Sequence, residues 1–364
     1  VYAEVVDNVG HSSGIIDANG NIVEDSDLHL RTSTIEIQEN EPTNQKDANG
    51  IPLYNTSIPV TVTVVDSFSG ISHIDWNIAN DNESGTIEVD INGNWRNASG
   101  DAQILEDSIE RDQNLITKLQ FVIVVDSNTN GNVVHVSLTD RSGNTSEYDT
   151  SYSIDTTAPN IAASLGGGAA SNGYYYNSNQ TVTVSITERN FDPSAVVVKV
   201  NNNAQTVQWN EQGSSVTSDG TVHTGTFAIT ADGEYDFTIS YTDMAGNVGT
   251  PYSQSQFVID KTSPKISNNF ESFGSIDDEN IYYNASQKNS AKAEITVVET
   301  NFSPGDMNIV VYYQPAGSKH TDTGANWTNY YYSSDWKDSG DNTHTLNIPF
   351  TEDGVYKIVM APVD

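Results

Sequence analysis

The stretch IDTTAP at residues 154–159 occurs a second time, as IDKTSP at residues 259–264. The two copies are 105 residues apart, counted from Asp155 to Asp260. An Asp-x-x-Gly-Asn element precedes each copy and a Tyr-Tyr-Asn element follows it. The preceding elements are residues 140–144 and 243–247, and the following elements are residues 175–177 and 282–284. Self-similarity at a fixed period is the signature of a repeat protein, so we predict tandem domains of about 100 residues.

Short runs in which apolar residues alternate with Thr, Ser or charged residues predict β-strands with one buried face. Three examples are residues 60–64 (VTVTV), 182–186 (VTVSI) and 293–297 (AEITV). Asn-Gly and Asp-Gly pairs, which favour tight turns, separate such runs at short intervals. Tyr235 and Tyr356 each follow an Asp-Gly corner, as in a seven-stranded immunoglobulin-like sandwich. We therefore predict an all-β fold of tandem immunoglobulin-like β-sandwich domains in an elongated array.

The repeats divide the chain into four segments. Residues 1–35 are expected to be the end of a preceding repeat plus a linker, and residues 36–155 a diverged domain. Within the latter, residues 104–119 are expected to hold a short helix. Residues 156–260 form a second domain, and residues 261–364 a third whose last strand is truncated. The linkers between the domains are short, so we expect a monomeric rod.

Composition argues against several classes of partner. The chain has 15 Lys+Arg against 49 Asp+Glu, a net charge of -34, which repels nucleic acid and anionic lipid. It has no Cys, so it has neither a disulfide nor a Cys-ligated zinc site. It also has no apolar run of about 18 residues and no leader sequence, so we expect no membrane insertion and place any export signal or wall anchor outside this segment.

The sequence predicts no catalytic residues. It has no Gly-x-Ser-x-Gly, His-Glu-x-x-His or phosphate-binding motif, and its seven His are scattered. His223 and His344 both lie ten residues before the Gly of an Asp-Gly corner, at Gly233 and Gly354. We therefore predict that these two His share one structural position in successive repeats.

The repeat motifs resemble the immunoglobulin-like repeats of large cell-surface proteins and adhesins, chiefly of Gram-positive bacteria. The resemblance rests on residues 155–159 (DTTAP), 187–191 (TERNF) and 242–247 (TDMAGN). It implies an extracellular location, on the cell wall or secreted, and a non-catalytic adhesin or host-protein-binding array. Its expected partners are host proteins, immunoglobulin among them, or glycans. The alternative is a structural spacer that presents another functional or enzymatic domain away from the cell wall.

No cofactor is required by these motifs, but calcium is a candidate ligand because hard cations prefer oxygen ligands from flexible loops. In an immunoglobulin-like sandwich the start of the chain, the B–C loop and the F–G loop share one end, which groups several acidic and amide side chains. These are Asp155, Glu188, Asp243 and Asn247 in the second repeat, and Asp260, Glu299 and Asp364 in the third.

A structural role for the same residues is the alternative. Asp243 and Asn247 would then shape a tight turn, Asp155 would cap a linker, and Glu188 would pair with Arg189.

Residues 126–131 (DSNTNG) open like an EF-hand loop. Position twelve of that loop is Ser137 instead of the required Glu, so we predict a hairpin turn.

An aromatic segment in the third repeat is a candidate ligand-binding patch. Its residues are Trp327, Tyr330, Tyr331, Tyr332 and Trp336. Neighbouring side chains on a strand point to opposite faces, so some of these rings are expected to be exposed. Exposed Tyr and Trp favour recognition of protein or sugar. In the alternative interpretation Trp327 is the counterpart of a core residue, Trp209.

Overall fold

Strands make up nearly all of the regular structure, as predicted. The computed structural model describes residues 33–168, 174–217, 220–270, 291–317, 328–330 and 335–362. The chain divides into two compact units. Unit 1 comprises Val1–Leu165, Val182–Phe227 and Asp236–Ser255, and unit 2 comprises Gly166–Thr181, Ala228–Tyr235 and Gln256–Asp364. Residues 1–32, expected to end a preceding repeat, lie outside the described residues.

Eleven strands form the first sandwich. They are β1 (Thr34–Glu39), β2 (Leu53–Tyr54), β3 (Ile58–Val65), β4 (Ile71–Ile78), β5 (Glu83–Val89), β6 (Trp95–Ser99), β7 (Gln103–Ile104), β8 (Glu110–Asp112), β9 (Leu115–Val125), β10 (Asn132–Asp140) and β11 (Thr145–Ile154). One sheet has the order β1-β3-β9-β7, with β8 also paired to β9, and the other has the order β2-β11-β10-β4-β5-β6. This is the arrangement of a variable-type immunoglobulin sandwich, with β2 added in parallel to β11 at one edge.

The core of the first sandwich lies between these two sheets. On β3, Val60, Val62 and Val64 are buried, while the alternating Thr61 and Thr63 are partly exposed. This alternation is the reason the stretch forms a strand with one face on the core.

Close packing in this core depends on a glycine. Trp76 of β4 is buried at its centre. Gly85 of the adjacent β5 makes room for the indole, because a Cβ at position 85 would lie 2.6 Å from the Trp76 ring.

Nine strands form the second sandwich. They are β12 (Asn160–Gly166), β13 (Tyr175–Tyr176), β14 (Gln180–Glu188), β15 (Val197–Val200), β16 (Asn203–Gln205), β17 (Gln208–Thr217), β18 (Gly220–Ile229), β19 (Gly233–Ser240) and β20 (Tyr252–Ile259). Their sheets have the orders β12-β14-β18-β17 and β13-β20-β19-β15-β16. Phe227 of β18 and Phe237 of β19 pack edge to face with ring centroids 5.7 Å apart, which joins the two sheets within unit 1.

Seven described strands belong to the third sandwich. They are β21 (Lys265–Phe270), β22 (Lys292–Val298), β23 (Met307–Pro315), β24 (Thr328–Tyr330), β25 (Lys337–Asp338), β26 (Thr343–Pro349) and β27 (Gly354–Pro362). The sheets β21-β22-β26-β25 and β24-β23-β27 enclose a core that includes Ile295, Ile309 and Leu346. The described strands that correspond between the three sandwiches follow one order, and the predicted tandem β-sandwich fold is confirmed.

Of two local predictions, one is confirmed and one is wrong. Residues 104–119 do hold a short helix, the 3-10 helix Glu106–Ser108, with strands on either side of it; a second 3-10 helix of the described chain is Pro193–Ala195. Residues 126–131 are not a hairpin turn, because β9 and β10 belong to different sheets and this segment is the corner between them. The described part of the chain contains no helix with the length and hydrophobicity needed to cross a membrane.

Candidate functional site

Three acidic side chains converge at one end of the second sandwich, within unit 1. Asp155 follows β11, Glu188 ends β14 and Asp243 follows β19. One carboxylate oxygen from each lies within 4.8 Å of the others. Their residues are only 1%, 2% and 6% exposed. The predicted convergence of the linker and the two loops is therefore confirmed.

The two acids nearest the linker are tied to one short segment. Asp155 Oδ2 accepts a hydrogen bond of 2.5 Å from the side-chain amide of Asn190. Asp155 Oδ1 accepts one from the backbone N–H of Thr157 and lies 3.2 Å from the Arg189 guanidinium. Glu188 Oε1 accepts hydrogen bonds of 2.7 Å from the backbone N–H groups of both Arg189 and Asn190. The ion pair of Arg189 is thus with Asp155, and the predicted pairing with Glu188 is wrong.

Asp243 and Asn247 close the F–G turn, as the structural alternative required. Asp243 accepts hydrogen bonds of 2.8 Å from the backbone and the side-chain amide of Asn247. The Asn247 amide also donates to the carbonyl of Asp155, at 2.7 Å. Asn247 therefore connects the F–G turn to the linker.

The cluster carries more negative charge than its surroundings balance. Burial raises the pKa of Glu188 to about 7, and the charges of Asp155 and Asp243 add to this effect against the opposing hydrogen bonds from the backbone. Burial also raises the pKa of Asp243, although the bonds from Asn247 oppose it. Among the described residues, Arg189 is the one basic side chain paired with this group. Binding a proton or a cation would relieve the remaining repulsion.

Arg189 also joins the second sandwich to the first. Its guanidinium donates to the carbonyl and side-chain oxygens of Asn128, at 2.8 and 2.7 Å, and to the carbonyl of Ile154 at 2.9 Å. Asn130 and Asn190 exchange side-chain hydrogen bonds of 2.7 and 3.3 Å. Asn128 and Asn130 lie in the corner between β9 and β10. We call Asn128, Asn130, Asp155, Arg189 and Asn190 the first joint.

The sequence analysis did not identify Asn128, Asn130 and Asn190 as residues that connect the first sandwich to the second. The EF-hand-like spacing did single out residues 126–131, but as a turn without a partner.

The hydrogen bonds of Asp155 and Glu188 have counterparts in unit 2. Asp260 accepts hydrogen bonds from the backbone of Thr262, at 3.0 Å, and from the side-chain amide of Asn301. Glu299 accepts a bond of 3.0 Å from the backbone of Asn301. Asp260 and Glu299 are both buried. The predicted third member, Asp364, lies outside the described residues.

In the first sandwich, Asp66 and Asp140 occupy the loops that correspond to those of Glu188 and Asp243. Their carboxylates accept hydrogen bonds from the backbone and side chains of their own turns. Asp66, after β3, accepts hydrogen bonds from the backbone N–H groups of Phe68, Ser69 and Gly70. Although burial opposes the change, hydrogen bonds from Asn144 lower the pKa of Asp140. Asp243 accepts similar hydrogen bonds from Asn247, but burial, with the nearby charge of Asp155, raises its pKa.

Two matching aromatic clusters confirm the shared position of His223 and His344. Phe191 stacks on His223, with ring centroids 4.2 Å apart, and packs edge to face on Trp209 at 4.9 Å. Phe302 stacks on His344 at 4.0 Å and packs edge to face on Trp336 at 5.0 Å. Trp336 therefore occupies the position of Trp209 in the third sandwich; Trp327, for which that correspondence was predicted, lies outside the described residues.

The predicted aromatic patch is described only in part. Trp327, Tyr331 and Tyr332 lie outside the described residues. The backbone of Tyr330 lies in β24, opposite Val311. Trp336 is half-buried against the core of the third sandwich. Ligand binding by this patch stays a prediction.

A recess of about 770 Å³ lies on the outer face of the first sandwich. It is lined mainly by polar residues of β4, β5, β6 and the turn between β5 and β6. The lining residues are Ser72, His73, Asp75, Thr86, Glu88, Val89, Asp90, Asn94, Trp95 and Arg96. No feature of the sequence singled out this surface, because it forms only where three strands lie side by side.

Comparison with known proteins does not assign the chain to a family. No protein-family model matches the chain, and no curated protein matches it. A marsupial T cell receptor aligns at 11% identity over 61% of this chain and 100% of its own, with a TM-score of 0.20. Fibronectin(III)-like modules of Clostridium thermocellum CbhA align at 12% identity over 62% and 93%, with a TM-score of 0.22. TM-scores this low support no conclusion about fold or function.

Proposed function

We propose that this chain is a non-catalytic segment of a surface or secreted protein of a Gram-positive bacterium, and that its tandem sandwiches bind a host protein or a glycan. The observation that carries this proposal is the recess of about 770 Å³ on the first sandwich. Ligand pockets have volumes of roughly 300–1,000 Å³. A sandwich that served only as a spacer would need no recess on the outer face of β4, β5 and β6, because an even, solvated sheet face would be sufficient.

The first joint supports presentation of such a surface. Arg189 contacts Asn128 of the first sandwich and Asp155 of the linker at the same time. Asn130 and Asn190 add a second, reciprocal contact. Bonds of this kind restrict the hinge between consecutive sandwiches. A restricted hinge holds a binding face in a fixed orientation, which lowers the entropy lost when a large partner binds.

Calcium at the acidic cluster is part of the proposal. Asp155, Glu188 and Asp243 present carboxylate oxygens within 4.8 Å of one another, a spacing that a single hard cation can bridge. The existing hydrogen bonds do not exhaust these groups, since an ionised carboxylate has about four lone-pair sites. Calcium would neutralise the charges of Asp155 and Asp243, which add to the effect of burial on the pKa of Glu188. Asp260 and Glu299 are the corresponding ligands proposed in unit 2.

A structural spacer is the second candidate, and the recurrence of the bonds between the linker and the next loop favours it. Asp260, Glu299 and Asn301 repeat the contacts of Asp155, Glu188 and Asn190. A stalk requires joints that repeat along its length, whether or not any sandwich binds a ligand.

Capture experiments with the complete chain separate the two candidates. The chain is immobilised and exposed to serum, purified immunoglobulin G and A, a mucosal extract and a glycan library, and the bound material is identified by mass spectrometry. Heat-unfolded chain on the same support is the control. The binding proposal requires a ligand that is retained by the folded chain only. Retention of nothing specific would support the spacer.

A further inference from the structure

We propose that the recess on the first sandwich binds an uncharged oligosaccharide. This inference rests on the proposed binding function and names its site and ligand class. The recess crosses three adjacent strands, with His73 opposite Glu88, Asp75 opposite Thr86, and Glu88 opposite Arg96. The recess is an open cleft of about 770 Å³ on this sheet face, with room for a few sugar rings lying along the strands.

The floor of the recess alternates donors and acceptors that already hold one another in place. Thr86 donates a hydrogen bond of 2.6 Å to Asp75, whose other carboxylate oxygen lies 3.6 Å from His73 Nε2. The Arg96 guanidinium donates two hydrogen bonds to Glu88 Oε2. Sugar hydroxyls both donate and accept hydrogen bonds, so a surface of this mixed character can pair with several of them at once.

One end of the recess is a rigid turn. The carboxylate of Asp90 accepts hydrogen bonds of 2.8 Å from the backbone N–H groups of Asn92 and Asn94. Outside the turn, Arg141 donates to the carbonyl of Asp90 and Arg111 donates to the carbonyl of Gly93. A chain with so few basic residues thus uses two of them to hold this turn. A site ordered in advance loses less conformational entropy when it binds a ligand.

Trp95 lies at the edge of the recess, opposite the buried Val89 of β5 and so on the core side of the sheet. The ring is half-buried against the core of the first sandwich. Its Nε1 donates to Glu106 at 3.4 Å, which fixes the indole on the core side of the sheet. The indole therefore anchors β6 to the core, which helps to hold the edge of the recess in place.

Charge selects an uncharged ligand. Glu88 already neutralises Arg96, the one basic Lys or Arg side chain that lines the recess. The chain carries a net charge of -34, which disfavours sialylated, sulfated or phosphorylated ligands. The polar floor offers little to an apolar peptide. A basic peptide is the competing ligand, and the experiment includes it.

The test uses the complete chain on an array of neutral, sialylated and sulfated glycans, followed by calorimetry. The soluble probes are cellopentaose, xylopentaose, mannopentaose, lacto-N-tetraose and an oligolysine peptide. The variants Thr86→Val and Arg96→Ala change the recess, and Asp149→Ala is the matched control. Asp149 lies on the outer face of the same sheet, paired with His135 at 2.6 Å, and does not line the recess. We expect at least one neutral glycan to bind, each recess variant to weaken it by roughly tenfold or more, and the control to leave it unchanged.

Other outcomes overturn the inference. These are no binding of neutral glycans, preference for an anionic glycan or for oligolysine, and binding that the recess variants leave unchanged. The proposed function is judged separately by the capture experiment. If a host protein is captured while every glycan fails, the oligosaccharide inference is wrong and the binding function stands. If the folded chain retains neither, both are wrong.

Discussion

Asn190 donates a side-chain hydrogen bond of 2.5 Å to Asp155, which lies 35 residues earlier in the chain. In unit 2, Asn301 makes the same bond to Asp260. Both Asn190 and Asp155 are buried. The bond therefore satisfies a carboxylate that water does not reach, and it ties the linker to the loop that follows β14.

Asn190→Ala tests this relationship. The change leaves the buried Asp155 short of a donor, and an unsatisfied buried polar group costs roughly 1–3 kcal/mol, more if it is charged. We expect a loss of about 2–3 kcal/mol in the free energy of unfolding, measured by urea denaturation. Asn203→Ala is the control, because Asn203 is exposed and bonds only the backbone of Asn201. Equal, small effects of the two changes would show that the bond between Asn190 and Asp155 is dispensable.

The pH dependence of stability should reflect Glu188. Its pKa is about 7 in the folded chain, above the ordinary value of 4.5, so the folded state holds this proton more tightly than the unfolded state does. Its stabilising contribution is complete below about pH 4.5 and is lost as the pH rises through about 7. In EDTA, the unfolding free energy of the wild type should fall relative to that of Glu188→Gln as the pH rises from about 4.5 to above 7. A difference that does not vary with pH would mean that Glu188 titrates normally.

Calcium should stabilise the chain if the proposed site is correct. A site with an affinity of about 10 μM contributes roughly 2.7 kcal/mol at millimolar calcium. We expect calcium to raise the melting temperature and EDTA to lower it. The double change Glu188→Gln with Asp243→Asn keeps the shape of the site while removing two charges. It should abolish the effect of calcium at the cluster of Asp155, Glu188 and Asp243. No heat of binding in calorimetry, with melting curves that ignore both calcium and EDTA, would leave these acids with structural roles alone.

The two corner tyrosines differ in a measurable way. Tyr235 donates a hydrogen bond of 3.1 Å to the carbonyl of Ala231. The Tyr356 hydroxyl donates to the carbonyl of Glu352, also at 3.1 Å, and it accepts a second hydrogen bond of 3.0 Å from the backbone N–H of Glu352. Their rings are half-buried, less than the full burial expected of a core residue.

Replacing either tyrosine with Ala should cost about 2–3 kcal/mol, through lost ring packing. Tyr→Phe removes the hydroxyl only. It should cost about 1 kcal/mol at Tyr235 and more at Tyr356, where an acceptor is lost as well. Thermal unfolding of the four variants makes the comparison. The reverse order of the two Phe variants would contradict this account of the corners.

The elongated array predicted from the short linkers is tested by small-angle X-ray scattering. A globular protein of this length has a radius of gyration of about 21 Å, and we expect a distinctly larger value for the complete chain. A measured value near 21 Å would contradict the prediction of a rod.

Much of this architecture could be predicted from the sequence because the deciding signals are local. Alternation in Val60, Val62 and Val64 has a period of two, which assigns one face of β3 to the core without knowledge of its neighbours. The repeated linker and turn motifs placed Asp155, Glu188 and Asp243 at one end of a sandwich, because in this topology those three segments always meet there.

The partners of these residues were decided only by the tertiary structure. The Arg189 guanidinium pairs with Asp155 and bonds the carbonyl of Ile154, while the adjacent Glu188 bonds the backbone N–H groups of Arg189 and Asn190. Asn128 enters the first joint because β9 and β10 lie in different sheets and the corner between them faces the next sandwich. A local pattern states which side of a strand is buried. It does not state which distant group closes the last hydrogen bond, since that depends on how strands far apart in the chain come to lie together.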